Sequence, residues 1–185
     1  AFNDESMNLL FNSADVYINI ASNEGFGLGS AEAITVGTPI IVNVTGGLQD
    51  QCGFTKRVPA PDGSGYSQEL LTPDDYVELG SNHEATYTEH GEWVFPVYPS
   101  NRSLQGSPMT PYIFDDRCQP EDAAVQLKKL YDLGREERKR LGSLGTKFCE
   151  ENLMTSKAMG QEFISSMNGA FDNWKPKEKY TMEAV

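Results

Sequence analysis

The chain has 185 residues, and its 27 acidic side chains outnumber its 15 basic ones, which gives a formal net charge of -12. This length suits one sizeable domain. The charge argues against nucleic acid or an anionic membrane as a general partner, because both would repel the chain. The three cysteines, Cys52, Cys118 and Cys149, are widely spaced and odd in number. They predict neither a disulfide framework nor a metal site.

The sequence shows no targeting or membrane-spanning signal. No basic segment followed by an apolar one opens the chain, and no apolar run approaches the roughly 20 residues that span a bilayer. Free cysteines are typical of a reducing compartment. We therefore expect a soluble, cytoplasmic protein.

The first elements are a helix and a short strand. Residues 4–14 predict a helix that is capped by Asp4 or Ser6. The spacing places Met7, Leu10, Phe11 and Ala14 on one face of this helix. The apolar run that follows predicts a strand formed by Val16, Tyr17, Ile18 and Ile20.

A glycine-rich bend with two flanking carboxylates follows this strand. The bend contains Gly25, Gly27 and Gly29, and a helix is predicted to begin near Leu28 and to stop at Gly37. A strand, a tight turn and a helix start can direct backbone N–H groups at an anion. Glu24 precedes the bend and Glu32 lies about one turn inside the helix, so both can reach one ligand. Carboxylates are good acceptors for paired hydroxyl groups.

The next strand and its loop place further residues at the same edge. Residues 39–44 are nearly continuous in Ile and Val, as expected of a parallel strand that is covered on both faces. The loop of Thr45, Gly46 and Gly47 should therefore lie at the carboxyl edge of the sheet, beside Glu24. The glycine pair could instead form a turn that needs positive φ. Both interpretations stay open at this point.

The residues EGFGLGSAE, Glu24 to Glu32, carry a family resemblance. With MNLLFNSADVYINI before them and AITVGTPIIVNVTGGLQD after them, they resemble the C-terminal domain of the retaining GT-B glycosyltransferases, which include glycogen synthase and sucrose synthase. The resemblance covers Met7 to Asp50. It implies an α/β fold with a Rossmann-like parallel sheet flanked by helices. It also implies transfer of a hexosyl group from a nucleoside-diphosphate sugar to an acceptor hydroxyl, with retention.

The resemblance also implies a role for each candidate site residue. Glu24 would be the catalytic residue, because it orients the donor sugar and stabilises positive charge at the anomeric centre. Glu32 would hold the ribose. The backbone N–H groups of Phe26, Gly27 and Leu28 would contact the diphosphate, and their side chains would pack. Gly46 and Gly47 would lie beside the donor sugar. The family does not generally require a metal, so we expect no metal and no cofactor besides the nucleotide-sugar substrate.

The middle of the chain departs from the family pattern. Residues 53–117 hold seven of the ten prolines and both histidines, with little periodicity. Residues 91–96 predict a family-like strand, which leaves irregular insertions at about 53–90 and 98–117 around a core of 4–52 and 91–171. The insertions could form a lid, an acceptor surface or an oligomer contact. His83 and His90 lack the spacing of a zinc site.

The C-terminal part predicts three helices and a loose tail over 172–185. The first opens at Pro120 with a buried stripe of Ala124, Leu127, Leu130 or Tyr131, and Leu133. The second helix covers 135–152 with Leu141, Leu144 and Phe148 inward. The third helix follows a cap at Thr155 or Ser156, and its inward residues are Met159, Phe163, Ile164, Met167 and Phe171.

The start of the second helix carries a basic run, which consists of Arg135, Arg138, Lys139 and Arg140. Because Glu136 and Glu137 are interleaved with these residues, the run favours a solvated helix face over an acceptor site.

The chain is too short for the two Rossmann-like domains of a complete GT-B enzyme, and it lacks the family's upstream basic pair and base-reading loop. We therefore expect a single partial donor domain over 1–185 that is inactive alone. Two alternatives are a nucleotide-sugar epimerase and a catalytically silent interaction module. The expected partner is a nucleotide-sugar donor, with no nucleic acid; the acceptor is not identified, and the insertion could support a homo-oligomer.

Overall fold

The computed structural model describes residues 3–79, 85–152 and 154–176. The first part contains α1 (Asp4–Asn12), β1 (Tyr17–Asn19), α2 (Leu28–Thr35), β2 (Ile40–Asn43) and a 3-10 helix (Gly46–Gln51). The middle contains β3 (Thr55–Pro59), β4 (Tyr66–Leu70), α3 (Pro73–Leu79), β5 (Val94–Val97), β6 (Asn101–Ser107) and β7 (Thr110–Arg117). Three helices follow, α4 (Pro120–Asp132), α5 (Gly134–Glu151) and α6 (Ser156–Asn173).

A parallel sheet in the order β1-β2-β5 forms the centre of the fold. Every residue of β2 is buried, because apolar side chains cover both of its faces. Ile40 and Val42 pack in a cluster with α2 and α5, whereas Ile41 packs on the other face with Ala123 of α4. The predicted α/β class, a Rossmann-like parallel sheet flanked by helices, is confirmed. The predicted strand after Gly91 is also confirmed as β5.

β1 lies at an edge of this sheet, and its apolar side chains are less buried than those of the central strand β2. In the described part of the chain, β1 pairs with β2 alone. Ile18 and Ile20 are each 44% exposed. Tyr17 instead faces the interior and packs against Phe11, with 5.8 Å between the ring centroids.

The predicted helices lie where the sequence places them, but some of the predicted N-cap residues and buried residues are wrong. α1 is capped by Asn3, whose side chain accepts from the N–H of Ser6, so the predicted caps Asp4 and Ser6 are wrong. In α4 the buried residues are Ala123 and Leu130, and the predicted Ala124, Leu127, Tyr131 and Leu133 are exposed. Gln126 lies between the two buried residues and donates to the carbonyl of Pro96 at 2.7 Å, which fixes this rotation of the helix.

The last two helices differ from each other in burial. α5 buries Leu141 and Phe148 as predicted, and Leu144 packs against the same cluster. α6 begins with the predicted Thr155 cap, which accepts from the N–H of Ala158. No residue of α6 is buried, so the prediction of an inward apolar stripe is wrong. The exposed residues are Met159, Phe163, Ile164, Met167 and Phe171.

The two segments that the sequence predicts to be irregular contain regular structure. β3 pairs with β4 and β6 pairs with β7, both as antiparallel hairpins, and α3 follows the first hairpin. These strands are short and mostly exposed, so they lack the alternation that marks a half-buried strand. The predicted loose tail starts inside α6, and most of it, like His83, lies outside the described residues.

None of the helices in the described ranges has both the length and the apolar character needed to cross a membrane.

Candidate functional site

The glycine-rich bend ends in an uncovered helix N-terminus, as predicted. Gly27 caps α2 with φ 84° and ψ 61°, a left-handed conformation that glycine adopts without strain. Its carbonyl accepts from the N–H groups of Ser30 at 3.0 Å and Ala31 at 3.2 Å. The N–H groups of Leu28 and Gly29 have no acceptor among the described residues. Such free amides at a positive helix end can hold an anion.

Two loops meet in backbone contact beside this helix end. The N–H of Gly47 donates to the carbonyl of Glu24 at 2.9 Å. A Cβ on Gly46 would lie 2.2 Å from the carbonyl oxygen of Glu24, and one on Gly47 would lie 2.1 Å from that of Gly25. Gly46 also has φ +48°. Gly46 therefore confirms the interpretation as a turn with positive φ, and both glycines permit the close approach of the two loops. The place of the pair beside a donor sugar stays a prediction.

The buried side chain of Gln51 forms hydrogen bonds to the backbone of the glycine-rich bend. Its Nε2 donates to the carbonyls of Phe26 and, at 3.1 Å, Gly27. A Cβ on Gly27 would lie 2.4 Å from Cδ2 of Leu48, on the same 3-10 helix. The bend therefore packs directly against this 3-10 helix. Because the bend is fixed by these contacts, the orientation of the N–H groups at the start of α2 is fixed as well.

The negative charges of Glu24 and Glu32 both act on one hydroxyl group, that of Tyr17. A Cβ on Gly29 would be 2.3 Å from the Tyr17 hydroxyl, so the phenol lies against the first turn of α2. Partial burial raises the pKa of Tyr17, and the negative charges of Glu24 and Glu32 raise it further. Neither carboxylate has an ion-pair or hydrogen-bond partner in the described part of the chain. Neither carboxylate is therefore occupied by another described side chain, and their predicted contact with one ligand stays a prediction.

A second buried network joins the β6–β7 hairpin to this edge of the sheet. Asn43 is fully buried and donates to the carbonyls of Ala21 at 2.9 Å and Asp116 at 2.7 Å. The Thr45 hydroxyl donates to Oδ2 of Asp116 at 2.9 Å, and the N–H of Asp116 donates to the carbonyl of Ser22 at 2.9 Å. The hairpin thus fixes the loops that follow both β1 and β2.

The side chains of the bend itself are less packed than the sequence predicts. Phe26 is 38% exposed and Leu28 is 70% exposed, although Gly27 between them is buried. Both line a cavity of about 430 Å³ between α1 and α2, with Glu32 on its wall. The packing role predicted for these two side chains is wrong, because the residues under the bend are Leu48 and Gln51.

Sequence reasoning missed Tyr17, Asn43 and Gln51. The apolar pattern of the strand conceals Tyr17, although its hydroxyl distinguishes it from Val16 and Ile18. Asn43 carries a signal, since it is the one polar residue of β2 and a buried amide requires partners. Gln51 had no local signal, because its contacts are 24 and 25 residues distant in sequence.

The described residues contain no group of three His, Cys, Asp or Glu side chains that could hold a metal ion. All three cysteines are free, and Cys52 and Cys149 are buried. Burial raises the pKa of the Cys52 thiol far above its usual range.

Comparison with known families supports the interpretation of the N-terminal part. Residues 2–65 match the model of a family described as Family 4 glycosyltransferase in conflict systems. The match covers about a third of the chain and includes every candidate site residue from Glu24 to Gly47. It supports glycosyltransferase activity in general. No curated protein matches the chain.

Proposed function

We propose that this chain is the donor-binding part of a retaining glycosyltransferase, which transfers a hexosyl group from a nucleoside-diphosphate sugar to an acceptor hydroxyl. The observation that carries the proposal is the combination of two carboxylates, Glu24 and Glu32, with the free N–H groups at the start of α2, none of which has a partner within 3–79, 85–152 and 154–176. The match of residues 2–65 to a Family 4 glycosyltransferase supports it independently.

In this proposal the diphosphate of the donor lies at the start of α2. The N–H groups of Phe26, Gly27 and Leu28, together with that of Gly29, stabilise the negative charge that develops on the leaving diphosphate. Because the bend is held by Gln51 and the glycine pair, these donors require little reorganisation during the reaction. The free helix end thus has both a binding role and a catalytic role.

The two carboxylates act on the two sugar rings of the donor. Glu32, exposed on α2, accepts hydrogen bonds from the ribose hydroxyls. Glu24, half-buried on the bend, orients the transferred sugar and stabilises positive charge at its anomeric carbon. Front-face displacement gives retention without a covalent intermediate, so Glu24 is not the nucleophile that a retaining glycosidase would need.

Donor binding can be tested by saturation-transfer NMR, which detects millimolar affinities. UDP, GDP and ADP, and their glucose or mannose conjugates, are added to this chain and to Glu32→Ala. We expect a signal from one nucleotide that falls strongly in the variant. Glu136→Ala is the matched control, because Glu136 is also an exposed acid near the start of a helix. Equal signals from the parent chain and Glu32→Ala would contradict the assignment of Glu32.

The catalytic assignment is tested in the enzyme that contains this chain. We expect Glu24→Ala to abolish hexosyl transfer, while nucleotide binding at α2 persists because the free N–H groups do not depend on this side chain. Transfer is measured as sugar released from the nucleotide and attached to the acceptor. A turnover equal to that of the parent enzyme would overturn the role of Glu24.

A further inference from the structure

A second polar cavity lies at the opposite end of the sheet from Glu24. It has a volume of about 580 Å³ and lies where β1 and β2 begin. One wall is the end of α1 with Asp15, another is the turn over 36–39 between α2 and β2, and a third is the start of α5. A volume of this size lies within the range of pockets that take small molecules.

Three cations of α5 line this cavity. Arg135, Arg138 and Lys139 share one helix face because they are spaced by three and four residues. Arg140 differs, since it pairs with Glu137 at 2.8 Å and Glu92 at 2.6 Å. The sequence predicts one solvated face for all four residues. In the structure Arg135, Arg138 and Lys139 line the cavity, whereas Arg140 does not. This concentration of positive charge is unusual in a chain whose net charge is -12.

The positive charge of this cavity is incompletely neutralised. Among the described residues, Asp15 is the one carboxylate in the lining, and it accepts from Arg138 at 3.1 Å. Arg135 and Lys139 form no ion pair with any residue that the structure describes. α5 begins here without a side-chain cap, and the two acids of its first turn lie outside the cavity lining.

Arg138 is held in place and has an unused donor. Only 16% of its side chain is exposed, and it donates from its two terminal nitrogens to Asp15 and to the carbonyl of Tyr131. Its Nε is buried and has no acceptor in the described part of the chain. The contacts with Asp15 and Tyr131 therefore hold the guanidinium of Arg138 in a fixed position at the cavity wall.

We propose that this cavity, lined by Arg135, Arg138 and Lys139, binds a small phosphorylated anion. Guanidinium and ammonium groups bind phosphate oxygens through charge-assisted hydrogen bonds. Three cations can neutralise one dianionic phosphate beside Asp15. The net charge of the chain disfavours nucleic acid, which would be repelled as it approaches. The site is separate from the donor site at the start of α2, so it does not depend on the proposed transferase activity.

The proposal is tested by ¹H–¹⁵N NMR titration of the full chain at fixed ionic strength. Inorganic phosphate and ribose 5-phosphate are the probes, and ribose is the neutral control. We expect saturable shifts of the amides of Gly37, Thr38 and Arg138 with the phosphate probes and no shift with ribose. A response to ribose 5-phosphate but not to inorganic phosphate would show that the site requires a phosphate ester. Equal responses would show that the phosphate group alone is sufficient for binding.

The decisive variant is the double substitution Arg135→Gln and Lys139→Gln. Both side chains are exposed and unpaired in the described structure, so the fold should persist. We expect affinity for the phosphate probe to fall about tenfold or more. Lys147→Gln, on the same helix but outside the cavity lining, should leave affinity unchanged, and so should Glu32→Ala at the donor site. The absence of saturable shifts in the parent chain, or equal affinity in the double variant, would overturn the proposal.

Discussion

At the scale of single residues, Gly47 shows how backbone contact fixes the candidate site. A Cβ at this position would lie 2.1 Å from the carbonyl oxygen of Gly25, and a backbone atom cannot rotate away as a flexible side chain can. Replacing Gly47 therefore forces the two loops apart and moves the carbonyl of Glu24 that the Gly47 N–H contacts.

We predict that Gly47→Ala lowers the free energy of unfolding by about 3 kcal/mol, the upper part of the range for overpacking. The measurement is chemical denaturation followed by circular dichroism. Gly25→Ala is the matched control, because a Cβ on Gly25 would meet no atom within 4 Å. Equal destabilisation by the two substitutions would show that the loops are not in contact.

Tyr17 gives a direct test of the geometry of the two carboxylates. Burial and the charges of Glu24 and Glu32 raise the pKa of its phenol above the ordinary value of 10.0. Removing a negative neighbour favours the phenolate, so we expect Glu24→Gln and Glu32→Gln each to lower this pKa. The pKa is measured from the ¹³Cζ chemical shift of Tyr17, assigned with Tyr17→Phe. Glu136→Gln should leave it unchanged, and no shift in either site variant would place the carboxylates elsewhere.

At the scale of elements, α3 is attached to β3 by one carboxylate. Oδ2 of Asp75 accepts from the N–H of Thr72 at 2.7 Å and from its hydroxyl at 2.8 Å, an arrangement that caps the helix. Oδ1 of the same residue accepts from Nζ of Lys56 on β3 at 2.6 Å. These contacts lower the pKa of Asp75 from 3.8 to about 2, with the bond to Lys56 as the largest cause.

This lowered pKa predicts an acid-sensitive element. Because the folded state favours the ionised carboxylate, its stabilising effect is complete above about pH 4 and is lost as the pH falls towards 2. We expect amide protection in α3 to decrease over this interval, as followed by hydrogen exchange. In Asp75→Asn the protection should be low already at pH 5. Asp74→Asn, in the same helical turn, should behave like the parent chain.

The elements also show what a sequence can predict. The start of α2, the buried strand β2 and the start of α4 depend on residues within a few positions, such as Gly27 and Pro120. The rotation of α4 depends on a bond from Gln126 to Pro96, 30 residues away, and the position of the bend depends on Gln51. Contacts of this kind leave no periodic pattern in the local sequence.

At the scale of the whole molecule, burial is uneven between α5 and α6. α5 packs so closely on the turn that follows α2 that a Cβ on Gly142 would lie 1.8 Å from the carbonyl oxygen of Gly37. α6 has an amphipathic sequence of the same length but no buried residue. Its periodicity correctly predicted a helix, whereas the surface that a helix faces is set by tertiary contacts.

We predict that the amides of α6 are less protected from hydrogen exchange than those of α5. Local opening is easiest where few apolar contacts are lost, so its amides should exchange faster than those of α5 by about tenfold or more. Hydrogen exchange measured by mass spectrometry on peptides from the two helices tests this, with α5 as the internal reference. Equal protection would mean that the apolar face of α6 is covered in solution.

The different burial of the three cysteines has a consequence for chemical labelling. Thiol reagents react with the thiolate of an accessible cysteine, and Cys52 and Cys149 are buried whereas Cys118 is partly exposed. Cys118 should therefore be modified first, although burial raises its pKa and slows the reaction at neutral pH. It lies between β7 and α4, two residues after Asp116. A fluorophore at Cys118 would thus report on the hairpin that fixes the candidate site without any substitution in the chain.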